Sequence, residues 1–278
     1  MIRDQDHARR VPLWVGPAAV YSLSLGMLAL NRLLSPHIRS IALALGLEFL
    51  VFALPIALMF VYVKGVERVG FWRSLGFAST PWHRTFMFSL VLYFTVFASG
   101  WLLFRAAEYI SPTLPEAARY DPTAMTETFR DLPALAYWYM ILTSIVYAGF
   151  GEELIFRGYV LTRLLPNGQI LSIALSSLMW SSLHLWYIPV LGSTGLWQHL
   201  DVILIGFIFG VAFVRTRNLI PLVLVHSYVN SLLPLSYLYD TDLLNLVAFL
   251  VVVAGFVTAI IMLVLRVIRH SARSRVSE

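Results

Sequence analysis

Apolar runs of about twenty residues recur along the whole chain, and they leave few folds open. A segment of that length crosses the hydrocarbon core of a bilayer as an α-helix. The runs predict spanning helices near 11–31, 41–63, 85–104, 134–153, 170–190, 200–214, 219–238 and 243–265. The expected fold class is therefore all-α, a polytopic transmembrane bundle of about eight spanning helices. Only 13% of the 278 residues are charged, against about 25% in soluble domains. The sixth run is short and holds Asp201, so it is expected to be tilted, extended or buried among the others.

The charges that remain are placed unevenly. Arg32, Arg39, Arg105, Arg119 and Arg130 fall on one side of the inferred membrane, and the rest of the 20 Lys and Arg on the other. Lys and Arg concentrate in short cytoplasmic segments. Both termini are accordingly expected in the cytoplasm, in a multi-pass protein of a prokaryotic cytoplasmic membrane. The same placement gives the net charge of +5 a membrane explanation and argues against a nucleic-acid partner. The stretch 64–84, with Lys64, Arg68, Trp72, Arg73, Trp82 and Arg84, reads as interfacial. The stretch 105–133, with four prolines and five acidic residues, reads as an external loop rather than a second domain. Residues 1–278 are taken as one membrane domain. Cysteine is absent, which excludes a thiol nucleophile and a cysteine metal site.

Against this apolar background a few polar residues stand out. Gly151-Glu-Glu-Leu-Ile-Phe-Arg-Gly158 ends the fourth run with two adjacent carboxylates. A carboxylate at membrane depth is costly and needs a partner or a wet cavity. On a helix Glu153 and Arg157 lie four residues apart and can pair, which leaves Glu152 to face a cavity. A structural ion pair locking two helices explains the same pattern. His184 lies in the fifth run; a lone membrane histidine is more often bonded to a neighbour than catalytic. His226 and Asn230 share one face of the seventh run, where each could donate to a developing oxyanion or simply tie helices together. Glu48 and Asp201 lie at membrane depth without motif support; Glu48 could line the cavity or pair with an arginine such as Arg157, and a structural role is expected of it. Other intramembrane chemistries lack their signatures here: there is no His-Glu-x-x-His, no Gly-x-Ser-Gly and no Gly-x-Gly-Asp.

Taken together, Glu152-Glu153-x-x-x-Arg157, Trp180-x-x-x-His184 and His226-x-x-x-Asn230, in this order, resemble the motifs of the CPBP intramembrane protease family. That family is also called Abi or CAAX-protease-like and includes the eukaryotic CAAX prenyl endopeptidase. Val214-Arg-Thr-Arg-Asn-Leu-Ile-Pro-Leu-Val-Leu-Val-His226 resembles the usual approach to its third motif. The resemblance covers about 140–235, and Trp180 stands where the family usually has Phe. It implies Glu152 as the catalytic glutamate, activating a water together with His184. It implies His226 and Asn230 as oxyanion donors, with Arg157 ordering the Glu152–Glu153 pair. No cofactor is favoured, since a glutamate-activated water needs no metal. Zinc is the alternative, held by Glu152, His184 and His226 with one position open.

The leading expectation is an intramembrane endopeptidase acting on membrane-associated or lipidated peptides and proteins, with the lipid bilayer as its surroundings. The competing one is a non-catalytic membrane scaffold or a bacteriocin-immunity-type binding protein. One geometric obstacle stands in the way of the first. Span boundaries at 134–153 and 170–190 put Glu152 at a membrane edge and His184 far into its own helix. The expected resolution is a fourth helix that runs on through Tyr159–Leu165 and buries the glutamates.

Overall fold

The computed structural model describes residue 12 and residues 14–34, 41–77 and 80–239. Among them the regular structure is helical throughout, with no strand. Seven longer helices form the bundle: α1 (Val15–Leu34), α2 (Ile41–Val61), α3 (Trp82–Ile110), α4 (Ala134–Asn167), α5 (Gln169–Ser182), α6 (Ser193–Thr216) and α7 (Ile220–Leu238). By length and composition, four stretches among the described residues suit a bilayer crossing: Phe49–Val66, Trp82–Thr113, Ala134–Asn167 and Ser193–Thr216.

The count of about eight spans is thus not reached among the described residues. The run at 243–265 lies outside them. The fifth run stops early: α5 ends at Ser182, and a separate short helix, Tyr187–Leu191, follows after a turn. Its 14 residues reach about 21 Å, short of a bilayer core of about 30 Å. The seventh run is interrupted by His226, Ser227, Asn230 and Ser231 and carries Pro234 inside the helix. The sixth is extended rather than short. It begins at Ser193, so Asp201 sits well inside a 24-residue helix and is buried.

The fourth run also continues, as the burial of its glutamates requires. Ala134–Asn167 is one 34-residue helix, and Glu152 lies near its middle. Its central part is wound more widely than an α-helix, as π-helix over Ser144–Glu152 and again over Leu154–Leu161. Such winding is rare, and where it occurs it is frequently at functional sites. Ser176 Oγ donates to the Phe156 carbonyl at 2.8 Å and Thr162 Oγ1 to the Arg157 carbonyl at 3.3 Å.

Lipid is as apolar as leucine, so helices in a membrane associate through close packing and polar contacts rather than by escaping water. Both are present around α4. Gly149 brings α4 so close to α7 that a Cβ there would stand 1.9 Å from Ser227 Oγ. Ser172, Ser176 and Ser177 form a small, buried face of α5. Opposite them, Gly206 of α6 leaves only 3.0 Å between a would-be Cβ and Ser177 Cβ. Tyr159, Phe156 and Leu161 of α4 fill the centre with Leu219, Leu222, Phe209 and Phe213.

The connections divide into two ends. At one, Arg163 at the end of α4 forms a forked pair with Glu67, and Leu219 N–H donates to the Gly76 carbonyl at 3.0 Å. Trp72 and Trp82 are exposed in this basic, aromatic segment. At the other, the 111–133 connection folds as short turns and a helix, Ala124–Phe129. Thr194 of α6 accepts from Asp121 N–H at 2.8 Å, and Trp197 donates to the Ala118 carbonyl at 3.0 Å. Hydrogen bonds from the Thr123 side chain and backbone hold the exposed Asp121 carboxyl below its ordinary range.

Candidate active site

Five side chains from three helices meet at the wide-wound centre of α4. Glu153, with no exposed surface, accepts from Arg157 Nη1 at 2.9 Å. Four-residue spacing on one helix produces this pair, as expected from the sequence. The same Glu153 oxygen, Oε1, meets His226 Nδ1 of α7 at 2.8 Å. Arg157 is itself buried. Its second amino group donates to the Gly206 carbonyl at 3.5 Å, and its guanidinium lies 4.3 Å from the centre of the Trp180 ring.

Glu152 points to a different set of partners. The Trp180 indole N–H donates to its Oε2, and His226 Nε2 stands 4.0 Å from the same oxygen. His226 thus lies between the two glutamates, one ring nitrogen toward each. Two aromatic rings enclose it edge-on, Trp180 at 5.6 Å and Phe209 at 5.7 Å between centroids. A buried carboxylate pair survives only with such matched donors, because an uncompensated charge in a low-dielectric interior costs several kcal/mol.

Beside Glu152 opens a cavity of about 110 Å³. Its walls are mostly apolar, from Leu28 of α1, Val51 and Phe52 of α2, and Ile155 and Phe156 of α4. Glu152 and His184 are the ionisable groups lining it. His184 lies in the turn after α5, not deep within a helix, and this brings it to the same cavity as Glu152. The early end of α5 and the long α4 together remove the obstacle the span boundaries raised. His184 Nδ1 is 3.3 Å from the Trp180 carbonyl. A carbonyl only accepts, so Nδ1 carries the hydrogen and Nε2 is left as an acceptor.

The remaining sequence candidates fall elsewhere. Asn230 lies one turn beyond His226 on α7 and is exposed; no hydrogen bond of its side chain is present among the described residues. Asp201 is buried on α6, with Oδ1 unpartnered among the described residues. Glu48 has its backbone in α2, but its side chain lies outside the described residues, and Arg157 pairs with Glu153. Among the described residues no three His, Cys, Asp or Glu side chains come together as a metal-holding group. Glu152, His184 and His226 do not form such a group among them. His226 Nδ1 is engaged by Glu153 at 2.8 Å, and its Nε2 stands 4.0 Å from Glu152 Oε2. Two participants escaped the sequence reading, the Trp180 indole and the Gly206 carbonyl. The first had a signal, since a buried indole N–H needs a partner; the second, a backbone atom of another helix, had none.

Comparison with known proteins agrees with the motif reading. Residues 134–232 match the family model described as type II CAAX prenyl endopeptidase Rce1-like. No curated protein and no solved structure matches the chain. The matched residues begin with α4 and end within α7, so they contain every member of the buried cluster.

Proposed function

Taking as premise the match of residues 134–232 to the type II CAAX prenyl endopeptidase Rce1-like family, we propose that the chain hydrolyses peptide bonds at the cavity beside Glu152. The family makes it a CAAX protease-type intramembrane endopeptidase at the coarse level, in a multi-pass helical membrane protein. The observation that carries the finer reading is the sharing of one cavity by Glu152 and His184. The Glu153–Arg157–His226 unit lies directly behind them.

In this reading a water sits between Glu152 and His184, in a space several times the ~30 Å³ that a water occupies in the liquid. His184 Nε2 accepts one of its hydrogens and orients it. Glu152 takes a proton as the water oxygen attacks the carbonyl carbon of the scissile bond. The carbonyl π pair becomes the oxyanion. His226 in its protonated form donates Nδ1–H to Glu153 and offers Nε2–H to that oxyanion. Before attack the two carboxylates balance Arg157 and the protonated His226, and after it Glu153 and the oxyanion balance the same two cations, which suits a buried site. As the tetrahedral intermediate collapses, the C–N bond breaks and Glu152 returns its proton to the departing amine. Asn230 enters on the resemblance alone, as a second donor on the same face of α7. No metal takes part in this scheme.

The substrates are peptides or proteins in or at the membrane, lipidated or not, reaching the site from the side where the basic segments gather. In this reading that side is the cytoplasmic one, where Lys and Arg concentrate. The test compares membranes from cells making the wild type or Glu152→Gln at equal abundance, read by mass spectrometry of peptide termini. Termini that depend on Glu152 are expected. Identical termini, with a cellular phenotype that still requires the protein, would replace this reading with a non-catalytic scaffold or immunity-type binding role.

A further inference from the structure

Trp180 touches the ionic cluster through three separate handles. Its indole N–H donates to Glu152 Oε2, its ring face carries the Arg157 guanidinium at 4.3 Å, and its backbone carbonyl holds His184 Nδ1 at 3.3 Å. The side chain is only 2% exposed. Gly206 on α6 packs against it so closely that a Cβ there would lie 3.1 Å from Trp180 Cε3. The ring has little room to turn. Of the three handles, only the N–H distinguishes tryptophan from phenylalanine. A phenyl ring at 180 would keep the cation–π face and the carbonyl but lose the donor.

The N–H matters because of which oxygen it holds. Trp180 and His226 Nε2 both address Oε2 of Glu152. With that oxygen engaged, Oε1 is the one left for the cavity that Glu152 lines. We propose that Trp180 is a positioning residue for Glu152, anchoring Oε2 through its indole N–H and committing Oε1 to the attacking water. This rests on the endopeptidase reading for its catalytic consequence. Without the anchor, Glu152 is released toward its cationic neighbours. Arg157 lies on its own helix, His226 on α7 and His184 in the turn after α5, while Glu153 repels it. A glutamate drawn into a closer pair with His226 no longer meets the water in attack geometry, and sub-ångström placement of that kind governs the chemical step.

Two measurements test this on the full-length protein. The first is the kinetics of Trp180→Phe on a reporter peptide spanning one of the Glu152-dependent cleavage sites. Loss of one hydrogen bond to a charged group lowers kcat by about tenfold or more, with KM within about twofold, since the apolar walls of the cavity are untouched. The second does not need turnover. With ¹⁵N-labelled tryptophan, the eight Trp residues give eight indole N–H signals, and the Trp180→Phe spectrum identifies one by its disappearance. That signal is expected to move in Glu152→Gln, because an amide oxygen or NH₂ replaces the carboxylate acceptor, while the other signals stay. Should Trp180→Phe fail to fold, Glu152→Gln alone still decides: one displaced indole signal supports the anchor, and none overturns it. Wild-type kcat in a folded Trp180→Phe protein also overturns it. Absence of any Glu152-dependent cleavage by the wild type removes the endopeptidase reading instead, which the indole signal does not depend on.

Discussion

Arg157 holds the buried charges in balance, and its removal is the sharpest test of how the cluster is built. It faces Glu153 at 2.9 Å with both side chains fully enclosed, and no bulk water replaces a lost partner there. Breaking a buried pair from one side leaves an uncompensated charge and costs about 3–5 kcal/mol. Arg157→Met, which keeps length and apolar bulk, should lower the temperature at which the protein loses helicity in detergent. The double variant Arg157→Met with Glu153→Gln should regain a large part of that loss, because both charges are then gone. If the two variants unfold together, the pair is not what holds α4 in place. This pair was legible in the sequence because i, i+4 contacts are local. The link from Glu153 to His226 was not, since it joins residues 73 apart in the chain and depends on how α7 packs against α4.

At the scale of helices, α4 owes its position to small residues as much as to charge. At Gly149 a Cβ would lie 1.9 Å from Ser227 Oγ, and also 2.9 Å from Ser227 Cβ and 3.0 Å from its backbone nitrogen. The hydroxyl can rotate away, but the backbone of α7 cannot. Gly149→Ala should therefore cost about 1–3 kcal/mol by overpacking, seen as a lower unfolding temperature. Adding Ser227→Ala should relieve only part of it. Full relief would mean that the hydroxyl alone makes the contact and the helix backbones are not closely packed. The existence and rough extents of most helices could be read from apolar run lengths, because bilayer thickness imposes them. The end of α5 at Ser182 and the wide winding of α4 could not. Leu183–Leu191 is mostly apolar, and its Pro189 lies within the separate helix that follows. The turn before that helix is closed by the Leu183, His184 and Leu185 N–H groups donating to Trp180, Ser181 and Ser182. Similarly, the π-winding shows no residue pattern of its own; the Phe156 carbonyl within it accepts from Ser176, a contact visible only once α5 is in place, and the Arg157 carbonyl accepts locally from Thr162.

For the whole molecule, the connections sort into two ends that the side-chain contacts keep apart. Glu67 with Arg163, and Gly76 with Leu219, tie the 62–77 segment to the end of α4 and the start of α7. Asp121 with Thr194, Ala118 with Trp197, and Tyr237 with the Thr126 carbonyl tie the 111–133 connection to the opposite ends of α6 and α7. The basic residues Lys64, Arg84 and Arg215 are exposed at the first end, and the acidic Glu116 and Asp131 at the second. The proposed orientation, with the basic end in the cytoplasm, rests on this charge asymmetry. The native chain has no cysteine, so single cysteines report without background. Lys64→Cys and Arg215→Cys should react with a membrane-impermeant maleimide only after the cells are opened. Glu116→Cys and Asp131→Cys should react in intact cells. The reverse pattern would turn the molecule over and make the cavity accessible from the outside. Reaction of Lys64→Cys and Glu116→Cys from the same side would contradict the bundle itself, because α3 must cross once between them.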